Sequence, residues 1–360
     1  MDQVRVMIVE DSPTVREYLR QAISADPRLA VVAECESAEQ ALASVARTAP
    51  DVISMDIHLP HMSGLEATRR IMETRPTPIV IVSRSVNAKE LDSTMDALRA
   101  GAVSAVEKPS CQQSGKLPHF AARICRELVV MSQVKVIRQR FNNSNVKRVE
   151  PATSVPRSSC PIAVPNDRRA SLVGIVASTG GPHAIETVLA TVGSDFAIPI
   201  VLVQHMTASF HGGFISWLDR ISPQTVTEAR HGELPMPGRV YVAPADQHLV
   251  VRGNRLTLEN SQQVSGQRPS GTVLLRSMAE ALGSRAVGVV LTGMGDDGAE
   301  GLLAIRRAGG YTIAEHESTA IVNGMPAVAR NLNAECISLP LESIGTAIRN
   351  LVPASREVCA

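Results

Sequence analysis

The sequence predicts an α/β protein made of two doubly wound parallel-sheet domains that flank a linker. Short apolar runs alternate with helix-forming stretches in both halves, an order that favours parallel strands joined by helices. The 360 residues are enough for two ordinary domains. Between the halves, residues 142–170 lose hydrophobic periodicity and contain four prolines, as flexible tethers do. We therefore expect one domain over 1–130, a helix and flexible linker over 131–170, and a second domain over 171–355.

The composition favours a globular protein with no general affinity for nucleic acid or membranes. Hydrophobic residues make up 44% of the chain and charged residues 20%, and the formal net charge is +1. Apolar runs stay well short of the roughly 20 residues that span a bilayer, and the opening residues lack a secretory apolar core. The six cysteines form no CxxC pair, which argues against a zinc site or a disulfide framework. We expect a cytoplasmic protein.

Five strand-like runs separated by helical stretches organise the N-terminal half. They lie at 4–9, 29–33, 51–55, 78–82 and 103–106. After the first run, Ser12 is suited to cap a helix and Pro13 to occupy its first turn. Apolar residues at helical spacing predict a further helix over 120–141 that packs on one of the two domains.

Polar side chains stand at the ends of four of these strands, where a parallel sheet gathers them at one edge. Glu10 and Asp11 follow the first strand, Asp56 the third, Ser83 the fourth and Lys108 the fifth. Three crowded carboxylates repel one another unless a hard cation such as Mg²⁺ joins them. Asp56 is then suited to attack a phosphoryl group, while Lys108 and Ser83 bind its oxygens. Any one of these five polar residues could simply be a solvated loop residue at a strand end, but the presence of all five at strand ends favours a site.

This segment resembles the response-regulator receiver domain over its whole length. The residues that carry the resemblance are Glu10-Asp11, Met55-Asp56, 59–64, Ser83 and Lys108-Pro109. The resemblance implies a flavodoxin-like fold and phosphotransfer, supported by Mg²⁺, from a histidine kinase to Asp56.

Two positions depart from the receiver pattern. Receivers usually have an aromatic residue where this chain has Ala105, and a small residue where it has Arg84. A receiver signals by moving its switch hydroxyl and its aromatic ring together, so one partner of that movement is missing here.

The C-terminal half repeats the alternation of strands and helices. Strand-like runs lie at 172–177, 199–203, 239–243 and 286–291, with a hairpin over 249–258 and a last short strand at 311–314. Helices are predicted over 184–191 and 299–308. Polar residues again cluster at the carboxyl ends of the strands.

The loop at 178–181 joins the first of these strands to a helix that Pro182 opens. Ser178 therefore lies beside backbone N–H groups at a helix N-terminus, which bind a phosphate or an oxyanion. No Lys follows the glycines, which argues against a P-loop. From this loop alone, a phosphate or dinucleotide site, an acyl-transfer nucleophile and a structural turn all remain open.

Three strand ends together supply Ser178, His205 and one of the neighbouring acids Asp296 and Asp297. These are the groups of a serine hydrolase, in which His activates the hydroxyl and the carboxylate orients the ring. Backbone N–H groups of Thr179 and of the 293–295 loop are candidates for stabilising the oxyanion.

Other residues compete for these roles. Five more histidines are rivals for the base, although none ends a clear central strand: His183, His211, His231, His248 and His316. Residues 293–298 also have GxGxxG-like spacing after a strand, as in a dinucleotide site. Two acids beside a pyrophosphate would repel it, so we rank a nucleotide-binding oxidoreductase below acyl transfer.

This half resembles the chemotaxis protein-glutamate methylesterase (CheB) family, and the order of receiver, linker and esterase matches as well. The motifs that carry the resemblance are 178–182, 204–206, 241–244, 268–270, 291–295 with Asp297-Gly298, and 324–326. The resemblance implies a Rossmann-like domain that hydrolyses glutamate methyl esters of chemoreceptors, releasing methanol, and deamidates receptor glutamines. It implies no cofactor for the hydrolysis.

By motif position, the resemblance makes Ser178 the nucleophile, His205 the base and Asp297 the orienting acid, and gives Met294 an oxyanion N–H. The family often has other residues where this chain has Thr207, Gln267 and Gly271-Thr272. We expect the unphosphorylated receiver to pack over the sheet edge that carries Ser178 and to block access of the receptor helix to it. A receptor-binding protein with weak or no esterase activity is the alternative.

Overall fold

The structure is a computed structural model that describes residues 3–83, 88–108, 117–134, 136 and 170–352. Two parallel sheets flanked by helices form its framework, as the predicted fold class requires. No helix within those ranges combines the length and the apolar character that a bilayer crossing needs.

The first sheet has five parallel strands in the order β2-β1-β3-β4-β5. The strands are β1 (Val4–Val9), β2 (Leu29–Cys35), β3 (Val52–Met55), β4 (Ile79–Ser83) and β5 (Ser104–Glu107). The helices are α1 (Pro13–Ser24), α2 (Ala38–Thr48), α3 (Gly64–Thr74), α4 (Ala88–Arg99) and α5 (Leu117–Met131).

Successive residues of β1 pack into cores on opposite faces of this sheet. Val6 and Ile8 join one buried cluster, whereas Met7 and Val9 join the other. All four side chains are fully buried, because a central parallel strand is covered by helices on both sides.

The second sheet has seven parallel strands in the order β14-β13-β12-β6-β7-β9-β8, and β10 and β11 form a separate antiparallel hairpin. The strands are β6 (Leu172–Ala177), β7 (Ile200–Gln204), β8 (Thr225–Glu228), β9 (Arg239–Val242), β10 (His248–Arg252), β11 (Arg255–Glu259), β12 (Ala286–Val290), β13 (Tyr311–Glu315) and β14 (Ile337–Leu339). The helices are α6 (Gly181–Val192), α7 (Ala208–Ile221), α8 (Gly271–Leu282), α9 (Ala299–Arg307), α10 (Met325–Asn331) and α11 (Leu341–Asn350), with a 3-10 turn at Gly283–Arg285.

Some predicted elements differ from the structure. The strand at 311–314 is not the last, because β14 follows it, and the edge strand β8 was not predicted at all. Both strands are short and contribute few buried side chains, so their apolar signal is weak. The helix predicted over 120–141 ends at Met131, and 132–134 lie outside any helix. It packs on α1 and β5 of the first sheet. Most of the predicted linker, together with Arg84 and Pro109, lies outside the described residues.

Candidate functional site

The loop after β6 holds Ser178 in a defined position. Its backbone N–H donates to the Thr292 carbonyl at 3.0 Å, and its carbonyl accepts the Gly181 N–H at 2.8 Å. Gly180, the residue before α6, has a φ of 77°, a left-handed conformation that glycine adopts without strain. The sharp turn therefore places the Ser178 side chain at the carboxyl edge of the sheet.

His205 lies next to Ser178 because their strands are direct neighbours. Ala177 at the end of β6 pairs with Gln204 at the end of β7, and the His205 N–H donates to the Ala177 carbonyl at 3.0 Å. The side-chain amide of Gln204 also donates to the Ser178 carbonyl at 2.8 Å. The two residues line one cavity.

The His205 ring is paired with a buried carboxylate. Its Nε2 lies 2.8 Å from Oδ2 of Asp297, and both side chains are almost fully buried. The other ring nitrogen, Nδ1, is buried and has no hydrogen-bond partner within the described ranges. This nitrogen is therefore available to accept a proton from a hydroxyl in the cavity.

Asp297 is held by the first turn of α8. Oδ1 accepts hydrogen bonds from the Ser270 hydroxyl at 2.6 Å and the Thr272 N–H at 2.9 Å, and Oδ2 accepts the Gly271 N–H at 2.6 Å. Burial raises the pKa of this carboxyl, but the hydrogen bonds from His205, Ser270 and Thr272 outweigh it and lower the pKa to about 2. The carboxylate is thus ionised at neutral pH.

Sequence reasoning did not find this cradle, although one signal was present. Ser270 caps α8 by accepting the Val273 N–H, and a Ser before an apolar helix is a common N-cap. What no local pattern indicates is that the same hydroxyl binds a carboxylate 27 positions further along the chain.

Thr179 and Met294 line the cavity beside Ser178 and are the predicted donors to an oxyanion. In the part of the chain that the structure describes, neither the Thr179 N–H nor the Met294 N–H donates a hydrogen bond, and both residues border the cavity. Gly293 allows the close approach of the two loops, because a Cβ there would lie 2.7 Å from the Ser178 Cβ. Such donors are suited to stabilise an oxyanion.

The other predicted candidates do not join this group. Asp296 is exposed, whereas its neighbour Asp297 is buried. His211 bonds to the Ala243 carbonyl at 2.7 Å, and His183 borders a different cavity, where burial lowers its pKa. His248 is fully buried.

A buried acid, Glu315, supports the loop that carries Ser178. Its Oε2 accepts the Thr292 N–H at 2.8 Å, and Thr292 in turn holds Ser178 through its carbonyl and Thr179 through its hydroxyl. Burial raises the pKa of Glu315 from 4.5 to about 7. Its carboxyl group therefore changes charge near neutral pH.

Replacing Glu315 with glutamine should stabilise the protein at pH 8 and leave it unchanged near pH 4.5. Between pH 4.5 and 7 the folded chain binds one more proton here than the unfolded chain, so this group lowers stability as pH rises. Glutamine keeps the acceptor for Thr292 without the buried charge. We expect a gain on the order of 2 kcal/mol at pH 8, measured as thermal unfolding at both pH values. The exposed Glu317→Gln is the control, and a gain independent of pH would contradict the prediction.

Three carboxylates meet at the carboxyl edge of the first sheet. Oxygens of Glu10, Asp11 and Asp56 lie within 4.8 Å of one another. The Lys108 ammonium lies 2.7 Å from both Glu10 and Asp56. Burial raises the pKa of Glu10, with Lys108 acting against that rise. Ser83, at the end of β4, is buried, and its carbonyl accepts the Lys108 N–H.

This donor set fits a hard divalent cation. All three side chains offer oxygen, Asp11 is exposed to solvent, and the close spacing of carboxylates leaves negative charge that one lysine does not neutralise.

The first domain covers the cavity that contains Ser178 and His205, as expected. The cavity has a volume of about 400 Å³, and its other wall comes from α4, β5 and α5. Residues on that wall include Met95, Leu98, Ala105, Arg126 and Met131. Ala105, which stands where receivers usually have an aromatic residue, thus faces the candidate active site.

Contacts between α4 and the helices α6 and α7 hold the two domains together. Asp96 accepts a hydrogen bond from the Trp217 indole at 3.1 Å, and Asp92 pairs with Arg220 at 2.7 Å. A third link joins Arg99 to Glu186 at 2.6 Å. We refer to these three pairs as the α4 contacts.

The α4–α7 packing also depends on one glycine. A Cβ on Gly213 would lie 2.6 Å from the Leu91 Cβ, a separation that real contacts do not show. The neighbouring Gly212 has open space around its missing Cβ.

A receiver sheet with an acidic phosphorylation-type site is thus joined to an α/β domain with a hydrolase-type Ser, His and Asp at one edge. Family models agree: the response regulator receiver domain matches residues 6–116, and CheB methylesterase matches residues 173–348. The chain belongs to the CheB family of protein-glutamate methylesterases/protein-glutamine glutaminases.

Individual relatives cover nearly the whole chain. Protein-glutamate methylesterase/protein-glutamine glutaminase 2 of Paramagnetospirillum magneticum is 47% identical over 97% of each chain. Protein-glutamate methylesterase/protein-glutamine glutaminase 1 of Syntrophus aciditrophicus is 43% identical over 97% of this chain and 98% of its own. Among solved structures, the CheB methylesterase catalytic domain of Thermotoga maritima aligns with a TM-score of 0.49 and 35% identity, covering 51% of this chain and 99% of that one.

Proposed function

We propose that this chain is a phosphorylation-regulated protein-glutamate methylesterase and protein-glutamine glutaminase that acts on chemoreceptors. The observation that carries the proposal is the His205–Asp297 pair, whose histidine lines the same cavity as Ser178. The names of the full-length relatives support the same pair of activities.

Hydrolysis proceeds by acyl transfer to Ser178. Its Oγ attacks the ester carbonyl while Nδ1 of His205 takes the hydroxyl proton, and Asp297 stabilises the resulting imidazolium. The N–H groups of Thr179 and Met294 hold the negative oxygen of the tetrahedral intermediate. The intermediate expels methoxide, which leaves as methanol with the proton from His205.

The second half of the reaction regenerates the serine. Water gives one proton to His205 and attacks the acyl-enzyme, and the ester bond to Ser178 breaks as its Oγ regains a proton. The product is a glutamate side chain. With a glutamine side chain the leaving group is ammonia, and the remaining steps are the same.

In this proposal the domain over 1–130 regulates the enzyme, and the domain over 171–355 carries out the hydrolysis. A histidine kinase donates its phosphoryl group to Asp56, and Lys108 and Ser83 bind the phosphoryl oxygens. Glu10, Asp11 and Asp56 would hold Mg²⁺, which neutralises charge on the phosphoryl group when bound.

Phosphorylation weakens the contacts that close the cavity. Residues of α4, β5 and α5 line the cavity with Ser178 and His205, which supports a closed, unphosphorylated state that excludes a receptor helix. Phosphorylation of Asp56 shifts the population toward a state in which the domains separate.

Replacing Gly213 with alanine should raise methanol release by the unphosphorylated chain several-fold. The added methyl group meets the Leu91 side chain on α4, so the closed arrangement loses stability relative to the open one. The α7 helix itself gains, because Ala is a better helix former than Gly. The matched control is Gly212→Ala in the same helix, where a Cβ meets nothing within 4 Å. Equal activity of the two variants would refute receiver inhibition through this contact.

A combined assay tests the proposed function. Purified full-length protein is incubated with methylated receptor, with and without a small-molecule phosphodonor, and methanol and ammonia are measured. We expect both products, with more after phosphorylation. A serine-directed fluorophosphonate should form an adduct on the peptide that contains Ser178. Absence of both products under both conditions would instead indicate a receptor-binding protein without esterase activity.

A further inference from the structure

His248 is a histidine that the mechanism above does not use. It opens β10, and its side chain is completely buried. His248 is not among the described residues that line the Ser178 cavity. It is therefore not placed to take a proton from the Ser178 hydroxyl.

The two ring nitrogens of His248 have partners that define its tautomer. Nδ1 accepts the Ser270 N–H at 3.1 Å, and Nε2 lies 3.0 Å from the Gln262 carbonyl. A backbone N–H can only donate and a carbonyl can only accept, so Nδ1 carries no proton and Nε2 carries one. The ring is therefore a neutral bridge between two backbone segments.

The Ser270 N–H, to which His248 binds, belongs to the turn that holds Asp297. Ser270 is the residue on which the first turn of α8 begins, and its hydroxyl donates to Asp297. The next two N–H groups, those of Gly271 and Thr272, complete the carboxylate cradle. The position of Ser270 therefore determines how the three hydrogen-bond donors of this turn are oriented toward the Asp297 carboxylate, which in turn binds His205.

We propose that His248 is a positioning residue for the catalytic carboxylate. By fixing the backbone of Ser270, it orients the start of α8 and, through it, holds Asp297 toward the ring of His205. The inference rests on the proposed hydrolase function and deepens it. It assigns to the β10–β11 hairpin a part in catalysis, although the hairpin contributes no side chain to the cavity that the structure describes.

The contribution of His248 is local, because α8 has a second attachment to the same strand. The Val251 N–H donates to the Ser277 hydroxyl at 2.9 Å, about two turns further along α8. Removing the His248 ring therefore releases the first turn of α8 and leaves the body of the helix anchored to β10.

The test compares His248→Ala and His248→Asn in the full-length, phosphorylated protein, with kcat and KM measured for methanol release from methylated receptor. We expect His248→Ala to lower kcat about 10- to 100-fold and to leave KM within about two-fold, since a small misplacement of a catalytic group affects the chemical step. Asn presents an amide oxygen near the former Nδ1 and can accept the Ser270 N–H. His248→Asn should therefore recover most of the lost kcat.

Two further variants separate positioning from general destabilisation. His231→Ala removes an exposed ring whose Nδ1 also accepts a backbone N–H, that of Leu258, and it should leave kcat unchanged. Ser270→Ala should lower kcat, and combining it with His248→Ala should lower kcat by less than the product of the two effects.

The outcomes distinguish a positioning role of His248 from the hydrolase function. If wild type releases methanol and His248→Ala matches it in kcat, the positioning role is wrong while the hydrolase function stands. Failure of His248→Asn to recover any of the lost kcat, or a double variant whose effects multiply, also contradicts the role. If wild type releases no methanol, both the hydrolase function and this inference are wrong.

Discussion

Replacing Ser178 with alanine should reduce methanol release by at least about 1000-fold, to the rate that oxyanion binding alone sustains. Without the hydroxyl there is no acyl-enzyme, and the His205–Asp297 pair has no nucleophile to activate. The change removes only one oxygen, and the loop that carries it is held by backbone hydrogen bonds to Thr292 and Gly181. The fold should therefore persist, and kcat for methylated receptor is the quantity to measure.

Ser216→Ala provides the matched control for this substitution. Ser216 is exposed on α7, and its hydroxyl donates to the Gly212 carbonyl of its own helix. This variant should hydrolyse receptor esters at the wild-type rate. Substantial activity remaining in Ser178→Ala would remove Ser178 as the nucleophile.

Replacing Asp297 with asparagine should lower kcat by about 1000- to 10,000-fold. An amide cannot stabilise the imidazolium that forms when His205 takes the serine proton. It also turns one acceptor into a donor inside a cradle that consists of donors, those of Ser270, Gly271 and Thr272. One of those donors, or the ring itself, then loses its partner.

Asp296→Asn, at the adjacent position, is the matched control for this substitution. Asp296 differs from its neighbour in being exposed, so the same change of charge there should alter kcat by less than about two-fold. Rates are compared with methylated receptor at saturating concentration. A larger loss in Asp296→Asn than in Asp297→Asn would reverse the assignment of the acid.

Much of the fold, and the gathering of the candidate site residues at one sheet edge, could be predicted because strand ends carry a strong signal. Continuous apolar runs such as those of β6 and β12 bury every side chain, and polar residues directly after them must lie at the same sheet edge. The edge strands β8 and β14 escaped prediction because few of their side chains are buried.

The support around the site could not be predicted from local pattern. Asp296 and Asp297 are adjacent in one loop, and only the packing of α8 against that loop decides which carboxyl is buried. Spacing alone therefore leaves both acids open, and resemblance to a family favours Asp297. Likewise, nothing in the periodicity of α4 indicates that its polar side chains bind a different domain.

The three α4 contacts bear on how the two domains come apart. Asp92, Asp96 and Arg99 follow one another at intervals of four and three residues, so they form a single stripe on one rigid rod. A small rotation or shift of α4 strains all three pairs at the same time. The two domains should therefore separate in one step, so that each molecule is either closed or open, and the accessible fraction should rise in proportion to the phosphorylated fraction of the receiver.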